Sequence, residues 1–314
     1  MNNSRRDFIR RATATGAAML AAPSVFGVAS SGQLKAQDAT ALFKLKYAPG
    51  LGMFRQNAGQ DPVDNIKFCY DQGFRAVFDN GLMRRTPEDQ DRIMNELKRL
   101  GMDIGPYVLM ADSGKQDFVL NTQEVRDALV ARMKEGVEVS RRTGAKQALV
   151  VPGRYDMKLH MDYQTANVID NLRRCCDIME PEGIMIVLEP LNPYINHPGL
   201  FLKGIPQAYA ICRAVNRPSC KILNDIYHQQ ITEGNLIPNI EAAWSEIGAF
   251  HCGDSPGRNE PTTGEINYKN IFKYLYGKKY DRTICMEHGA SQRGTKEGEL
   301  RVIQAYRECD SFEV

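Results

Sequence analysis

From residue 44 onward, short β-branched or apolar runs alternate with longer amphipathic stretches, and no other feature limits the fold of this chain so strongly. The runs predict strands at 44–48, 75–78, 103–108, 147–151, 185–189, 221–225, 249–252 and 283–287. Between them the 3.6-residue period predicts helices at 62–72, 87–100, 122–143, 165–180, 204–215, 236–245, 268–276 and 296–308. The punctuation agrees. Pro62 and Pro87 stand at first-turn positions behind Asp61 and Thr86, which suit N-caps, and Gly73, Gly101 and Gly144 follow predicted helices where a C′ glycine is expected. Eight βα units in roughly 270 residues predict an α/β fold, a single (β/α)8 TIM barrel. An open doubly wound sheet would offer a Gly-rich phosphate loop after an early strand, and Gly50-Leu51-Gly52 lacks the third glycine and the helix start. No Pro-, Gly- or Ser-rich linker divides the body, so residues 37–314 are expected to form one domain.

The amino terminus reads as an address. Arg5-Arg6-Asp7-Phe8-Ile9 precedes a weakly apolar stretch from Ala12 to Ala22, then Pro23 and small residues. The paired arginines and the Thr- and Gly-diluted apolar region resemble a twin-arginine signal, so residues 1–36 are expected to be signal and linker, with Ala29 and Ala36 both suited to precede the cleavage point. The protein is then exported folded and is periplasmic or secreted. No later stretch reaches the ~20 apolar residues of a membrane span, so no stable span is expected after export.

Composition narrows the partners. Forty Lys+Arg balance 38 Asp+Glu, a formal net charge of +2, which argues against a nucleic-acid partner held by its phosphates. Eight cysteines occur with no Cys-x-x-Cys pair, so neither a disulfide framework nor a zinc knuckle is expected. A homo-oligomer is compatible with this composition.

In a (β/α)8 barrel the active site lies at the carboxyl ends of the strands. The last four predicted strands end in chemistry: Glu189, Asp225, His251 and Glu287. Three carboxylates gathered in a half-buried mouth repel one another unless a cation compensates. One nitrogen among oxygens favours Mn²⁺ or Mg²⁺, with Co²⁺ also suited, over the thiolate or multi-histidine sets of zinc and copper. His228, three residues beyond Asp225, is expected to leave in the same loop within reach of a substrate oxygen. Arg258, on a Pro/Gly-shaped loop after the seventh strand, could hold a substrate carboxylate or hydroxyl. Asp254 suits either a ligand neighbour or a partner orienting His251. His288 should point away from Glu287 along the strand and serve structure, His197 lies where it could approach the site, and His160 has no supporting context.

The stretches Leu188-Glu189-Pro190-Leu191-Asn192, Asn224-Asp225-Ile226-Tyr227-His228, His251 to Arg258, Gly264 to Tyr268 and Met286-Glu287-His288-Gly289 together resemble the hydroxypyruvate isomerase and ketose 3-epimerase group of the xylose isomerase-like barrels. The resemblance covers most of the chain from about residue 44 and is strongest from the fifth strand onward. It implies that Glu189, Asp225, His251 and Glu287 bind one divalent ion, that Glu189 and Glu287 work as acid and base, and that His228 and Arg258 hold substrate. Two departures bear on the substrate. Pro193, Tyr194 and Ile195 follow Asn192 where ketose 3-epimerases carry an acidic residue, and Phe78-Asp79-Asn80 ends the second strand where relatives often place a glutamate.

The expected activity is isomerisation or epimerisation of a small unphosphorylated carbohydrate or hydroxy-keto acid, by proton transfer through a metal-stabilised enediolate. Rival readings are a metal-dependent lyase acting on 3-keto-glycosides, a non-catalytic periplasmic sugar-binding relative, and a multi-zinc nuclease of the same barrel. Five histidines in all and a near-neutral charge disfavour the nuclease. Glutamates at both 189 and 287 disfavour pure binding.

Overall fold

The computed structural model describes residues 41–112 and 114–314. The expected signal at 1–36 and the first residues of the expected domain lie outside them. The strands are β1 (Lys46–Pro49), β2 (Ala76–Val77), β3 (Asp103–Ile104), β4 (Tyr107–Met110), β5 (Gln147–Val150), β6 (Met185–Leu188), β7 (Cys220–Asp225), β8 (Ile247–Cys252) and β9 (Thr283–Met286). All pair in parallel, in the order β1-β9-β8-β7-β6-β5-β4, with β2-β3 completing the ring. The ring closes where Gly50 bridges Phe78 and the Phe78 amide donates to the Pro49 carbonyl at 3.0 Å. This is the expected α/β TIM barrel.

The helices are α1 (Arg55–Ala58), α2 (Pro62–Asp71), α3 (Pro87–Leu100), α4 (Gln123–Thr143), α5 (Met161–Met179), α6 (Ile205–Val215), α7 (Ile226–Thr232), α8 (Leu236–Ala243), α9 (Tyr268–Gly277) and α10 (Lys296–Asp310). Their ends follow the sequence signals. Asp61 accepts from the Val63 amide and Thr86 from the Asp89 amide, while Gly101 (φ 64°) and Gly144 (φ 69°) end α3 and α4 in the left-handed region.

Three elements depart from the sequence reading, one of them the short helix α1, which was not expected. The third strand, expected to be continuous over 103–108, is split into β3 and β4 at Gly105-Pro106, because proline has no N–H for the ladder. The segment after Asp225, expected as a loop, is the helix α7, capped by the Asp225 carboxylate.

Strand parity positions the site. Leu149, Val151, Val187, Leu223 and Ala249 form one buried cluster, and Ala48, Ala76, Phe78 and Cys285 another. Their alternating neighbours Ala148, Val150, Ile186, Leu188, Ile222, Phe250 and Ile284 pack in the main core, with the helices. The first two sets are therefore the barrel interior. Counting on by two from Val187, Leu223, Ala249 and Cys285 gives Glu189, Asp225, His251 and Glu287, so all four continue the interior rows. On β8 the register shifts by one residue between the partners of Ile222 and Leu223, and this bulge sets Ala249 and His251 facing inward.

All eight cysteines are buried thiols. No helix among the described residues is long and apolar enough to cross a membrane.

Gly105 sits at a tight crossing of the barrel: a Cβ there would lie 2.7 Å from Cys285 Sγ and 3.0 Å from Phe78 Cβ. Gly105→Ala should cost about 1–3 kcal/mol through overpacking, read as a lowered midpoint in urea denaturation; an unchanged midpoint would show that this crossing is slack.

Candidate active site

Four strand ends meet in one place. Glu189 follows β6, Asp225 closes β7, His251 lies within β8 beside its register partner Asp225, and Glu287 follows β9. One donor atom from each lies within 4.8 Å of all the others, and Glu189, Asp225 and His251 are buried. The His251 Nδ1 is 3.0 Å from Glu287 Oε2 and 3.2 Å from Glu189 Oε1. A single ring hydrogen cannot serve both, and Glu189 Oε1 is left buried without a hydrogen-bond partner.

Local structure divides the labour at Asp225. Its Oδ1 caps α7, accepting from the Tyr227 amide at 2.8 Å and the His228 amide at 3.4 Å. Its Oδ2 is thereby turned to the site, 2.9 Å from Arg258 Nη2. The same Nη2 lies 2.5 Å from Glu287 Oε2, and Arg258 Nε donates to the Glu287 carbonyl at 3.1 Å. The guanidinium thus sits among the carboxylates rather than apart from them. It is carried by a loop tied to Asp254, whose buried carboxylate accepts from the amides of Ser255, Thr263, Gly264 and Ile266. Asp254 is neither a ligand neighbour nor a partner of His251; it shapes the loop that presents Arg258.

His228 is fully buried on the first turn of α7 and lines the cavity, and His197 lines it too, its ring 5.2 Å from that of His228. His288 points away as expected, with Nε2 2.9 Å from the Tyr306 hydroxyl. His160 is exposed and takes no part. The sequence reading named two further residues without giving them a role. Asn80, after β2, donates from Nδ2 to Glu287 Oε1 at 2.6 Å. Asn192, after β6, touches the His228 ring. They lie three and four residues past their strands, and neutral amides do not announce a charge cluster.

Burial, reinforced by the Glu287 charge, raises Glu189 to about 7. At Glu287 burial is outweighed by His251, Arg258 and the Asn80 hydrogen bond, which hold the carboxyl well below the usual range. The pair is therefore split into a group that exchanges a proton near neutrality and one that stays ionised. Burial lowers His228 to about 4, so its imidazole is neutral. The cavity is about 240 Å³. Its polar end holds Asn80, Glu189, His197, His228, Arg258 and Glu287, and its wall is Val108, Ala111, Leu149, Val151, Leu191 and Leu200. Three carboxylate oxygens and one imidazole nitrogen with an orphaned buried Glu189 oxygen fit a hard divalent cation.

A family model described as xylose isomerase-like TIM barrel matches residues 66–307. The hydroxypyruvate isomerase of Escherichia coli K12 is 32% identical over 186 residues, 59% of this chain and 69% of that one. Two solved structures share the fold. AP endonuclease, family 2, from Brucella melitensis superposes with TM-score 0.69 at 22% identity, covering 83% of this chain and 99% of that one. The 3-keto-D-glucoside 4-epimerase of Escherichia coli gives TM-score 0.68 at 18% identity, covering 84% and 100%.

Titration calorimetry with Mn²⁺ should show one saturable site, and thermal stability should rise by about 2–3 kcal/mol at a hundredfold excess over Kd. His251→Ala should remove both effects. Unchanged Mn²⁺ binding in His251→Ala would contradict this ligand set.

Proposed function

The chain belongs to the xylose isomerase-like TIM barrel family, with hydroxypyruvate isomerase-like relatives, and from that premise we propose that it is a metal-dependent isomerase or epimerase of small hydroxy-carbonyl compounds. The observation that carries the reading is the pair Glu189 and Glu287, donated from different strands into one cluster with Asp225 and His251 and both lining the same cavity. A purely sugar-binding site has no need of two acidic side chains lining one cavity, whereas proton transfer does.

Glu189, Asp225, His251 and Glu287 would hold the divalent ion, Mn²⁺, Mg²⁺ or Co²⁺. When bound, that ion supplies polarisation of the substrate carbonyl and acidification of the adjacent C–H. Glu189 takes the proton from the carbon beside the carbonyl. Its return to the neighbouring carbon, with the substrate hydroxyl proton passing to the former carbonyl oxygen, completes an aldose–ketose type isomerisation; removal of the proton by the ionised Glu287 and delivery of the proton held by Glu189 to the opposite face inverts the centre instead. His228 and Arg258 hold the substrate oxygens on which charge develops, in a chamber whose remaining wall is apolar and excludes water. That wall carries no cationic group, and a volume of about 240 Å³ suits a short, unphosphorylated sugar or hydroxy-keto acid. The E. coli relative's name points the same way.

The reading extends to location. The Arg5-Arg6 motif and the apolar stretch behind it support twin-arginine export to the periplasm or beyond.

Incubation with hydroxypyruvate and small ketoses in D₂O should place deuterium on the carbon beside the carbonyl. Glu189→Gln and Glu287→Gln should each lower turnover by about 10³-fold or more while keeping the circular dichroism spectrum; near-normal deuterium uptake in either variant would contradict its role. Arg5→Lys with Arg6→Lys should hold the precursor in the cytoplasm, as read by cell fractionation, and unchanged export would rule out the paired-arginine route.

A further inference from the structure

The Asn192 side chain occupies a position that ion binding and proton transfer do not explain. It is fully buried in the loop four residues beyond β6 and its amide orientation is fixed by unambiguous donors: Oδ1 accepts from the backbone amides of Ile195 at 3.1 Å and Asn196 at 3.2 Å. The other end of the amide must then be Nδ2, which donates to Asn196 Oδ1 at 2.8 Å and lies 2.6 Å from His228 Nδ1. The Asn192 backbone N–H faces the same ring nitrogen at 3.4 Å. Two groups that can only donate therefore converge on His228 Nδ1, and that atom must carry the lone pair.

We infer that Asn192 is a positioning residue that sets the His228 tautomer, placing the ring hydrogen on Nε2 as a donor reserved for the carbonyl or hydroxyl oxygen of the substrate. The Nε2 atom is buried and has no hydrogen-bond partner, and Asp225 Oδ2, at 3.6 Å, is too far to take its hydrogen. His228 lines the cavity into which the substrate must come. In the opposite tautomer Nε2 would be a lone pair facing the substrate oxygen and the Asp225 carboxylate, repelling the charge that develops. The segment that fixes the amide is the one in which Pro193, Tyr194 and Ile195 stand, so the backbone turn after β6 serves to lock the Asn192 amide. The inference rests on the proposed reaction for its purpose but not for its geometry.

The test is a long-range ¹H–¹⁵N spectrum of the full chain labelled with ¹⁵N-histidine and loaded with Mg²⁺, with the His228 signals assigned by their loss in His228→Gln. The wild type should show His228 Nδ1 unprotonated and Nε2 protonated. Asn192→Asp keeps the acceptor for the Ile195 and Asn196 amides but turns a second acceptor on Nδ1, so the hydrogen should move to Nδ1. Turnover should then fall by about 10²- to 10⁴-fold with KM changing far less. In a His228→Gln background, whose amide can present a donor without help, the same Asn192→Asp change should cost less than about tenfold. A protonated Nδ1 in the wild type, or an equal loss in both backgrounds, would overturn the inference. The spectrum reads the tautomer whether or not a hydroxy-carbonyl compound turns over, so failure of the tautomer and failure of the isomerase reading are told apart.

Discussion

Like-charge repulsion at the carboxyl end of the barrel is the constraint to which the rest of the molecule answers. Glu189, Asp225 and Glu287 bring oxygens within 4.8 Å of one another with little water to share. Each pair of like charges at about 4 Å costs about 4 kcal/mol at an effective dielectric constant near 20. Three such pairs would approach the whole stability of an ordinary domain. Compensation is therefore compulsory, and it comes in three forms: the Arg258 guanidinium, the His251 imidazole, and the proton that Glu189 retains because burial and the Glu287 charge raise it. A divalent ion would be a fourth and stronger one.

The scaffold reaches this arrangement through backbone rules rather than special contacts. Strand parity sends the residue two beyond each interior aliphatic side chain into the same mouth, and the bulge in β8 restores that parity for His251. Asp225 shows how closely the layers are coupled. One of its oxygens caps a helix and the other faces the charge cluster, so forming α7 and aiming the carboxylate are a single event. Asp254 does the same for the following loop, spending its whole carboxylate on four backbone amides so that Arg258 arrives at a fixed place.

Much of this was legible in the chain. Periodicity and end signals gave the barrel because they act locally: Pro87 behind Thr86 and Gly101 beyond Leu100 say where α3 begins and stops without knowledge of any partner. The cluster of Glu189, Asp225, His251 and Glu287 was legible because a charged residue ending an apolar strand is conspicuous. What stayed hidden depends on contacts between segments distant in sequence. Asn80 acquires meaning only through Glu287, 207 residues away, and Asn192 only through a ring on another element. The break at Gly105-Pro106 was locally readable from the proline, but the expected strand passed over it, and the helix after Asp225 was obscured because its cap is also a site residue.

The central claim is that the four strand-end side chains enclose one cation. Crystals grown with Mn²⁺ and measured at a wavelength where manganese scatters anomalously test it most directly. A single strong peak about 2 Å from donor atoms of Glu189, Asp225, His251 and Glu287 is the expected result. Manganese bound elsewhere, or these four side chains turned away from any peak, would contradict the account.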